Sequence, residues 1–282
     1  MIFFTMAIAK VNGIKIDYEI QGEGNDIPLI LVSGWALKKQ MWLAVAPPLS
    51  EHFKVITFDN RGCGKSDRPE GPYSLDDYAD DILGLMDHLN LDKANLMGYA
   101  LGAMIVMHFA LKYVDHVDKL ILLNTVAKYD TDDLVLDGIK INSKALDFQQ
   151  NAPKKYFMKS AKMAFHRGFI KELEENPDKK FHNLWTVDEW VKEYNIDAQT
   201  PQDVENQGKA MLGLNLLEDL DKISAETLII AGSNNKIHPK TAMEAMHEKI
   251  PNSTIEVLKR AGDMTYLSRA PEINQLVIDF LK

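Results

Sequence analysis

The five residues Gly98-Tyr99-Ala100-Leu101-Gly102 lie between a short apolar run, Asn95 to Gly98, and a helical pattern from Leu101 to Tyr113. With serine at its centre, a Gly-x-Ser-x-Gly segment at such a strand-to-helix junction holds a nucleophilic hydroxyl on a sharp turn above a sheet. The glycines are needed because the turn is strained and the strand and helix backbones pass close to each other. Here both glycines are present and the centre is alanine. A methyl group cannot attack a carbonyl, so acyl-enzyme chemistry from position 100 is excluded.

The other reactive residue types are scattered. Cys63 is the single cysteine and lies within Arg61-Gly62-Cys63-Gly64, which reads as a structural turn more readily than as a nucleophile. Gly62 and Gly64-Lys65-Ser66 do not make a phosphate loop, because no Gly-Lys-Ser/Thr opens a helix at the right spacing. His166, His182 and His247 show no metal-ligand spacing, so no metal is expected. His108 falls on the helix after the glycine pair and reads as a packed residue. His238 is a weaker candidate, three residues after Asn235, that could lean toward a site. No cofactor is implied.

At 282 residues the chain can bury one large core, or one core and a smaller lid. A 46% hydrophobic and 26% charged composition fits a globular domain. The net charge of −9 argues against binding nucleic acid or an anionic membrane nonspecifically. One cysteine rules out an internal disulfide and suits a reducing compartment, so cytoplasmic is the expected location. No apolar run of membrane-spanning length occurs, and no stable membrane insertion is expected. Met1 to Met6 is apolar but lacks the basic flank of a signal peptide, and reads as a ragged extension or an extra strand residue or two.

Alternation around Asn12-Gly13, from Val11 to Gln21, predicts a β-hairpin. Short apolar runs at Ile27 to Val32, Lys54 to Asp59, Asn95 to Gly98, Lys119 to Asn124, Thr227 to Gly232 and Ser253 to Leu258 predict strands. Helical patterns lie between them at Ser74 to Leu89, Leu101 to Tyr113, Thr241 to Lys249 and Pro271 to Leu281. Ser74 with Asp77 resembles a capping box. The alternation implies an α/β fold with a mostly parallel sheet covered on both faces. Residues 126–203 break it with helical periodicity and several aromatic residues, among them Tyr156, Phe157, Phe165, Phe169, Trp185 and Trp190, and are read as a helical lid inserted into a core of residues 1–125 and 204–282. Within the lid, Lys154 to Lys171 is basic and amphipathic. It reads as a solvated face, with membrane-surface docking or anion attraction as the alternatives.

Five segments in order resemble the α/β-hydrolase fold superfamily, in particular its lid-bearing esterases, lactonases and C–C hydrolases. Leu31-Val32-Ser33-Gly34-Trp35 resembles the oxyanion loop. Phe58-Asp59-Asn60-Arg61-Gly62-Cys63-Gly64-Lys65-Ser66 resembles the Asp-x-Arg-Gly-x-Gly-x-Ser turn. Gly98 to Gly102 resembles the nucleophile elbow, Ala231 to Pro239 the acid loop, and Arg260 to Met264 the segment that carries the base. The resemblance covers nearly the whole chain. It places Ala100, Asp263 and Asn235 at the nucleophile, base and acid positions, all three altered, with the amide Asn124 at an alternative acid position. It also implies that the N–H groups of Trp35 and Leu101 would face a ligand oxygen, with Ser33 and Tyr99 beside them.

Three functions stay open. The first is a non-hydrolytic pseudoenzyme that binds a small, partly apolar, carbonyl-containing ligand. The second is a noncovalent lyase, isomerase, cyclase or decarboxylase using the backbone donors, with Asp263 as acid or base. The third is a protein-binding module acting through the lid. In that second reading Asp263 stands on the pocket wall away from any cation; the alternatives for it are a solvated loop residue or a hydrogen-bond partner of Asn235.

Overall fold

The computed structural model describes residues 4–195 and 197–282. Its strands are β1 (Phe4–Val11), β2 (Ile14–Gln21), β3 (Pro28–Val32), β4 (Lys54–Phe58), β5 (Ala94–Tyr99), β6 (Val117–Leu123), β7 (Glu226–Gly232) and β8 (Ser253–Leu258). Its helices are α1 (Ala46–Leu49), α2 (Leu75–His88), α3 (Leu101–Lys112), α4 (Asp132–Asn151), α5 (Pro153–Ala164), α6 (Arg167–Glu175), α7 (Val187–Asn195), α8 (Pro201–Lys209), α9 (Lys240–Lys249), α10 (Thr265–Ser268) and α11 (Ala270–Leu281).

The eight strands form one sheet in the order β1-β2-β4-β3-β5-β6-β7-β8. β2 pairs antiparallel with β1 and β4, and all other pairings are parallel. Parallel neighbours need crossovers, and helices placed on both faces bury the strands from either side. β5 is accordingly buried at every residue, and its run Asn95-Leu96-Met97 does not alternate. Two clusters of apolar side chains fill the two faces. One contains Leu96, Met104 and Ile82; the other contains Met97, Trp42 and Tyr266.

The hairpin turn at Asn12-Gly13 has positive φ at both residues, as a two-residue turn matching strand twist requires. The hairpin is longer than its alternation suggests. β1 begins at Phe4, and Phe4 to Ala9 pair residue for residue with Gln21 to Ile16. The alternation is masked there because Met6 and Ile8 are apolar yet point outward and are exposed. Of the presumed N-terminal extension, residues 1–3 lie outside the described residues. Ser74 and Asp77 do form a reciprocal capping box at the start of α2.

Five helices, α4 to α8, stand between β6 and β7. The boundary drawn at residue 203 falls inside α8. A capping box formed by Thr200 and Asp203 starts that helix, with Pro201 at its first position.

The Asp59 to Ser66 turn explains its own composition. The Asp59 carboxylate accepts the N–H groups of Lys39 and Lys65 and the ammonium of Lys39, which also pairs with Asp17. Burial opposes charge on Lys39, but these two carboxylates hold its pKa above the ordinary lysine value. Arg61 forks onto Asp81 through two bonds of 2.7 Å, and Ser66 Oγ donates to the Asp59 carbonyl at 2.6 Å. Gly64 has φ +50°, and a Cβ there would stand 2.0 Å from Asp59 Oδ2. Gly64→Ala is therefore expected to cost roughly 3 kcal/mol, from overlap and left-handed strain together. Urea denaturation at constant m-value measures it, and a cost within about 0.5 kcal/mol of zero would show that the turn yields freely.

Candidate functional site

β5 ends at Tyr99 and α3 starts at Leu101, so Ala100 alone makes the turn. Its backbone has φ 50° and ψ −117°, a conformation that L residues rarely adopt. The surroundings impose it. A Cβ at Gly98 would stand 2.3 Å from the Gly102 carbonyl oxygen, and one at Gly102 would stand 2.1 Å from that of Val32. Ala100 N–H donates to the Leu123 carbonyl at 3.2 Å, and Thr125 Oγ1 donates to the Ala100 carbonyl at 2.9 Å. The methyl at the tip is buried.

Asp263 lies on the loop after β8 and is buried. Its carboxylate has three side-chain donors. Oδ1 accepts from His238 Nδ1 at 2.7 Å and Asn235 Nδ2 at 2.8 Å, and Oδ2 accepts from the Tyr99 hydroxyl. An ionised carboxylate only accepts, so His238 Nδ1 carries the proton in this arrangement. The backbone is tied as well. Asp263 N–H donates to the Ala164 carbonyl at the end of α5, at 2.7 Å. Asn124 Nδ2 donates to the Asp263 carbonyl at 2.5 Å and to Thr265 Oγ1 at 2.7 Å, while its Oδ1 accepts the Gly232 N–H at 2.9 Å.

Asp263 is thus neither solvated nor remote from a possible cation: it partners Asn235 as one expectation held, and the imidazole of His238 rests on it. The local cause is Asn235. Its Oδ1 accepts the N–H groups of Ile237 and His238, both at 2.9 Å, curling the loop so that residue 238 turns back over residue 263. The Asn-x-x-His spacing carried that signal. Tyr99 packs its ring edge-on against Tyr266 at 4.8 Å and also donates its hydroxyl to Asp263. Tyr129, not singled out from the sequence, also belongs here. Burial, and then the charge of Asp263, push its phenol up to about 12.

Trp35 follows the β3 loop. Its indole N–H donates to the Val204 carbonyl of α8 at 3.0 Å, and its ring fills the space left by Gly138 of α4 and Gly208 of α8. The next N–H, of Ala36, donates to Gln207 Oε1 at 3.2 Å. Ser33 is fully buried; its carbonyl accepts from Asn60 Nδ2, and its hydroxyl has no partner among the described residues. Leu101 opens α3, where first-turn N–H groups have no intrahelical acceptor. Two cavities at the seam between core and insertion measure about 20 and 10 Å³, one lined by Ala36, Lys38 and Gln199 and the other by Lys38, Met41 and Trp190. Each is of the order of one water molecule.

The remaining candidates are structural. Cys63 accepts from Gln199 Nε2 at 2.8 Å, and burial pushes its thiol up to about 12. His108 is not packed inside its helix but faces Asp76 on the surface at 3.1 Å. His166 caps α6, His182 contacts the Ser268 carbonyl and His247 contacts Ser253. Among the described residues no cluster of His, Cys, Asp and Glu could hold a metal ion. No helix among them is long and apolar enough to cross a membrane.

A family model described as alpha/beta hydrolase fold matches residues 27–270. The chain belongs to the α/β hydrolase fold family. It is similar to 3-oxoadipate enol-lactonase 2 of Acinetobacter baylyi, with 24% identity over 95% of this chain and 94% of that protein. A soluble epoxide hydrolase of Corynebacterium is 34% identical over 42% of this chain and 41% of its own length. Among solved structures, the enol-lactonase from Burkholderia xenovorans superposes with a TM-score of 0.81 at 22% identity, covering 98% of this chain and 99% of that one. A thermophilic esterase from Thermogutta terrifontis, malate bound, does so with a TM-score of 0.80 at 24% identity, covering 98% of each. These likenesses are of fold.

Two outcomes follow from this family member's elbow and its buried thiol. Ala100→Gly removes left-handed strain at a larger unfolded-state entropy, and is expected to raise stability by roughly 1 kcal/mol in chemical denaturation. A loss of stability would mean that the turn is unstrained. Cys63 is expected to resist a thiol-specific reagent at neutral pH in the native state and to react stoichiometrically once unfolded.

Proposed function

We propose that this chain is a non-hydrolytic member of its family, a pseudoenzyme that binds a small, partly apolar, carbonyl-containing ligand beneath the α4–α8 insertion, which serves as its lid. The observation that carries this reading is the Asp263 cluster. At the position where the fold would seat a base stands a carboxylate held by three donors, one of them the hydroxyl of Tyr99, the residue before the methyl-tipped turn. The altered residues at 235 and 263 are joined into one hydrogen-bonded unit, and Ala100 offers no group to attack a carbonyl.

Retention of the strained turn supports a binding role. Strain of roughly 1–3 kcal/mol persists only where surrounding structure imposes it, and the same turn orients the Leu101 N–H. Backbone donors at Leu101 and Trp35 would hold a ligand oxygen without depending on any side chain. The unpartnered Ser33 hydroxyl is a further polar group at this end of the sheet. Relatives named for enol-lactones and an ester-cleaving neighbour favour a lactone- or ester-like ligand. Ligand pockets commonly enclose roughly 300–1,000 Å³, so entry requires α4 and α8 to part from Trp35.

The pairing of His238 with Asp263 favours a second reading, a noncovalent proton-transfer enzyme such as a lyase or isomerase. Its roles would differ from those expected from sequence. Asp263 would orient the imidazole and His238 Nε2 would move the proton, as a carboxylate-held histidine does elsewhere.

A panel of p-nitrophenyl esters and lactones separates these readings. The parent protein should show no turnover above a contaminant control. The triple variant Ala100→Ser, Asn235→Asp, Asp263→His should gain hydrolysis if the pocket is otherwise intact. Hydrolysis by the parent that survives purification to constant specific activity would overturn the non-hydrolytic reading. Turnover without covalent intermediate that vanishes in His238→Gln would establish the second.

A further inference from the structure

The inner face of α4 is committed to the fold: Val135, Ile139, Leu146 and Gln149 are buried, and Gly138 lies on the Trp35 ring. A second apolar row runs along its outer flank. Leu134, Ile141 and Phe148 recur every seven residues and are 59%, 67% and 37% exposed. Single exposed apolar residues are ordinary. Three in register are not, because a seven-residue repeat is the period that keeps one seam of a helix against a partner helix. α4 is 20 residues long, so the row spans most of a rod about 30 Å in length.

Asp133 and Asp137 stand toward the N-terminal end with Lys140, and Lys144 and Asp147 toward the C-terminal end, while Asp132 accepts the Gly213 N–H on the other side of the helix. Lys159 of α5, its ammonium lying 5.7 Å over the Phe148 ring, leaves the C-terminal end net basic and the N-terminal end net acidic. We infer that this flank is a self-association surface: two copies of the chain pack α4 against α4, antiparallel, about a two-fold axis through Ile141.

Such an interface is isologous, so one patch must complement itself. With Ile141 on the axis, Leu134 of one copy meets Phe148 of the second, twice over. Asp137 comes beside Lys144 of the second copy, and the acidic start of each helix lies along the basic end of the other. A parallel arrangement would set acid against acid. An anionic lipid surface would meet the same aspartates on a chain of net charge −9. The existing Asp137–Lys140 pair at 3.0 Å is exposed on both sides, so its exchange for an intermolecular pair costs little. The inference is independent of the reading of the elbow site.

Sedimentation velocity or light scattering on the full chain, up to about 100 µM, tests it. The expected result is a dimer that Ile141→Asp converts to a monomer with an unchanged circular dichroism spectrum. Leu136→Asp, on the other side of the helix, should leave the dimer intact. Asp137→Lys and Lys144→Asp should each weaken association about tenfold or more, and the double variant should recover most of it. Ile141→Cys should cross-link to itself under mild oxidation, since the axis brings the two copies of residue 141 together and Cys63 is buried. A monomer throughout that range overturns the inference, as does a dimer indifferent to Ile141→Asp. Binding of a monomer to phosphatidylserine vesicles, lost in Ile141→Asp, would overturn it in favour of a lipid surface.

Discussion

A carboxylate removed from water has to be met by donors, and much of the arrangement above the sheet follows from how Asp263 is met. The donors come from separate parts of the chain: Tyr99 from the end of β5, Asn235 and His238 from the loop after β7. The backbone of the same residue is held from beneath by Asn124 and from the insertion by the Ala164 carbonyl. The ends of β5, β6, β7 and β8 and the end of α5 therefore converge on one residue. Gly262 permits the last of these approaches, since a Cβ there would stand 2.3 Å from the Ala164 oxygen.

On the proposed reading, the arrangement exchanges the residue types of a hydrolytic site without emptying it. A hydrolytic pair would place imidazole at the second loop and carboxylate at the first; here the carboxylate is at 263 and the imidazole at 238. The histidine still faces a carboxylate, but through a position three residues further along its loop. The contacts of Asp263 with Asn235 and His238 keep the two loops docked. The elbow glycines answer to backbone contacts with Gly102 and Val32, which are indifferent to what stands between them.

What was legible in the sequence was whatever depends on local pattern. The run from Ser253 to Leu258 matches β8 residue for residue, and Ser74 with Asp77 caps α2 as their spacing implies. The turn motif at Asp59 and the glycines of the elbow were readable because each has a fixed steric or hydrogen-bonding duty. Contacts between distant loops were less legible. His238 and Tyr99 are ordinary residues until Asp263, 25 and 164 positions away, is brought beside them. The start of β1 was obscured because Met6 and Ile8 are apolar on an outward face, which erases the alternation that marks a half-buried strand. The same kind of outward apolar residue on α4 is what marks it as a surface for association.

The central claim is that Asp263 and its donors act as one bonded unit above the sheet. A double-mutant cycle in urea, with Asp263→Asn, His238→Gln and the combined variant, measures it most directly. Each single change should cost roughly 2–4 kcal/mol, because each leaves a buried polar partner unpaired. The two should couple by about 1–3 kcal/mol, since the second change removes a group the first has already orphaned. Additive losses, or singles within about 0.5 kcal/mol of the parent, would contradict the account and leave Asp263 an ordinary loop residue.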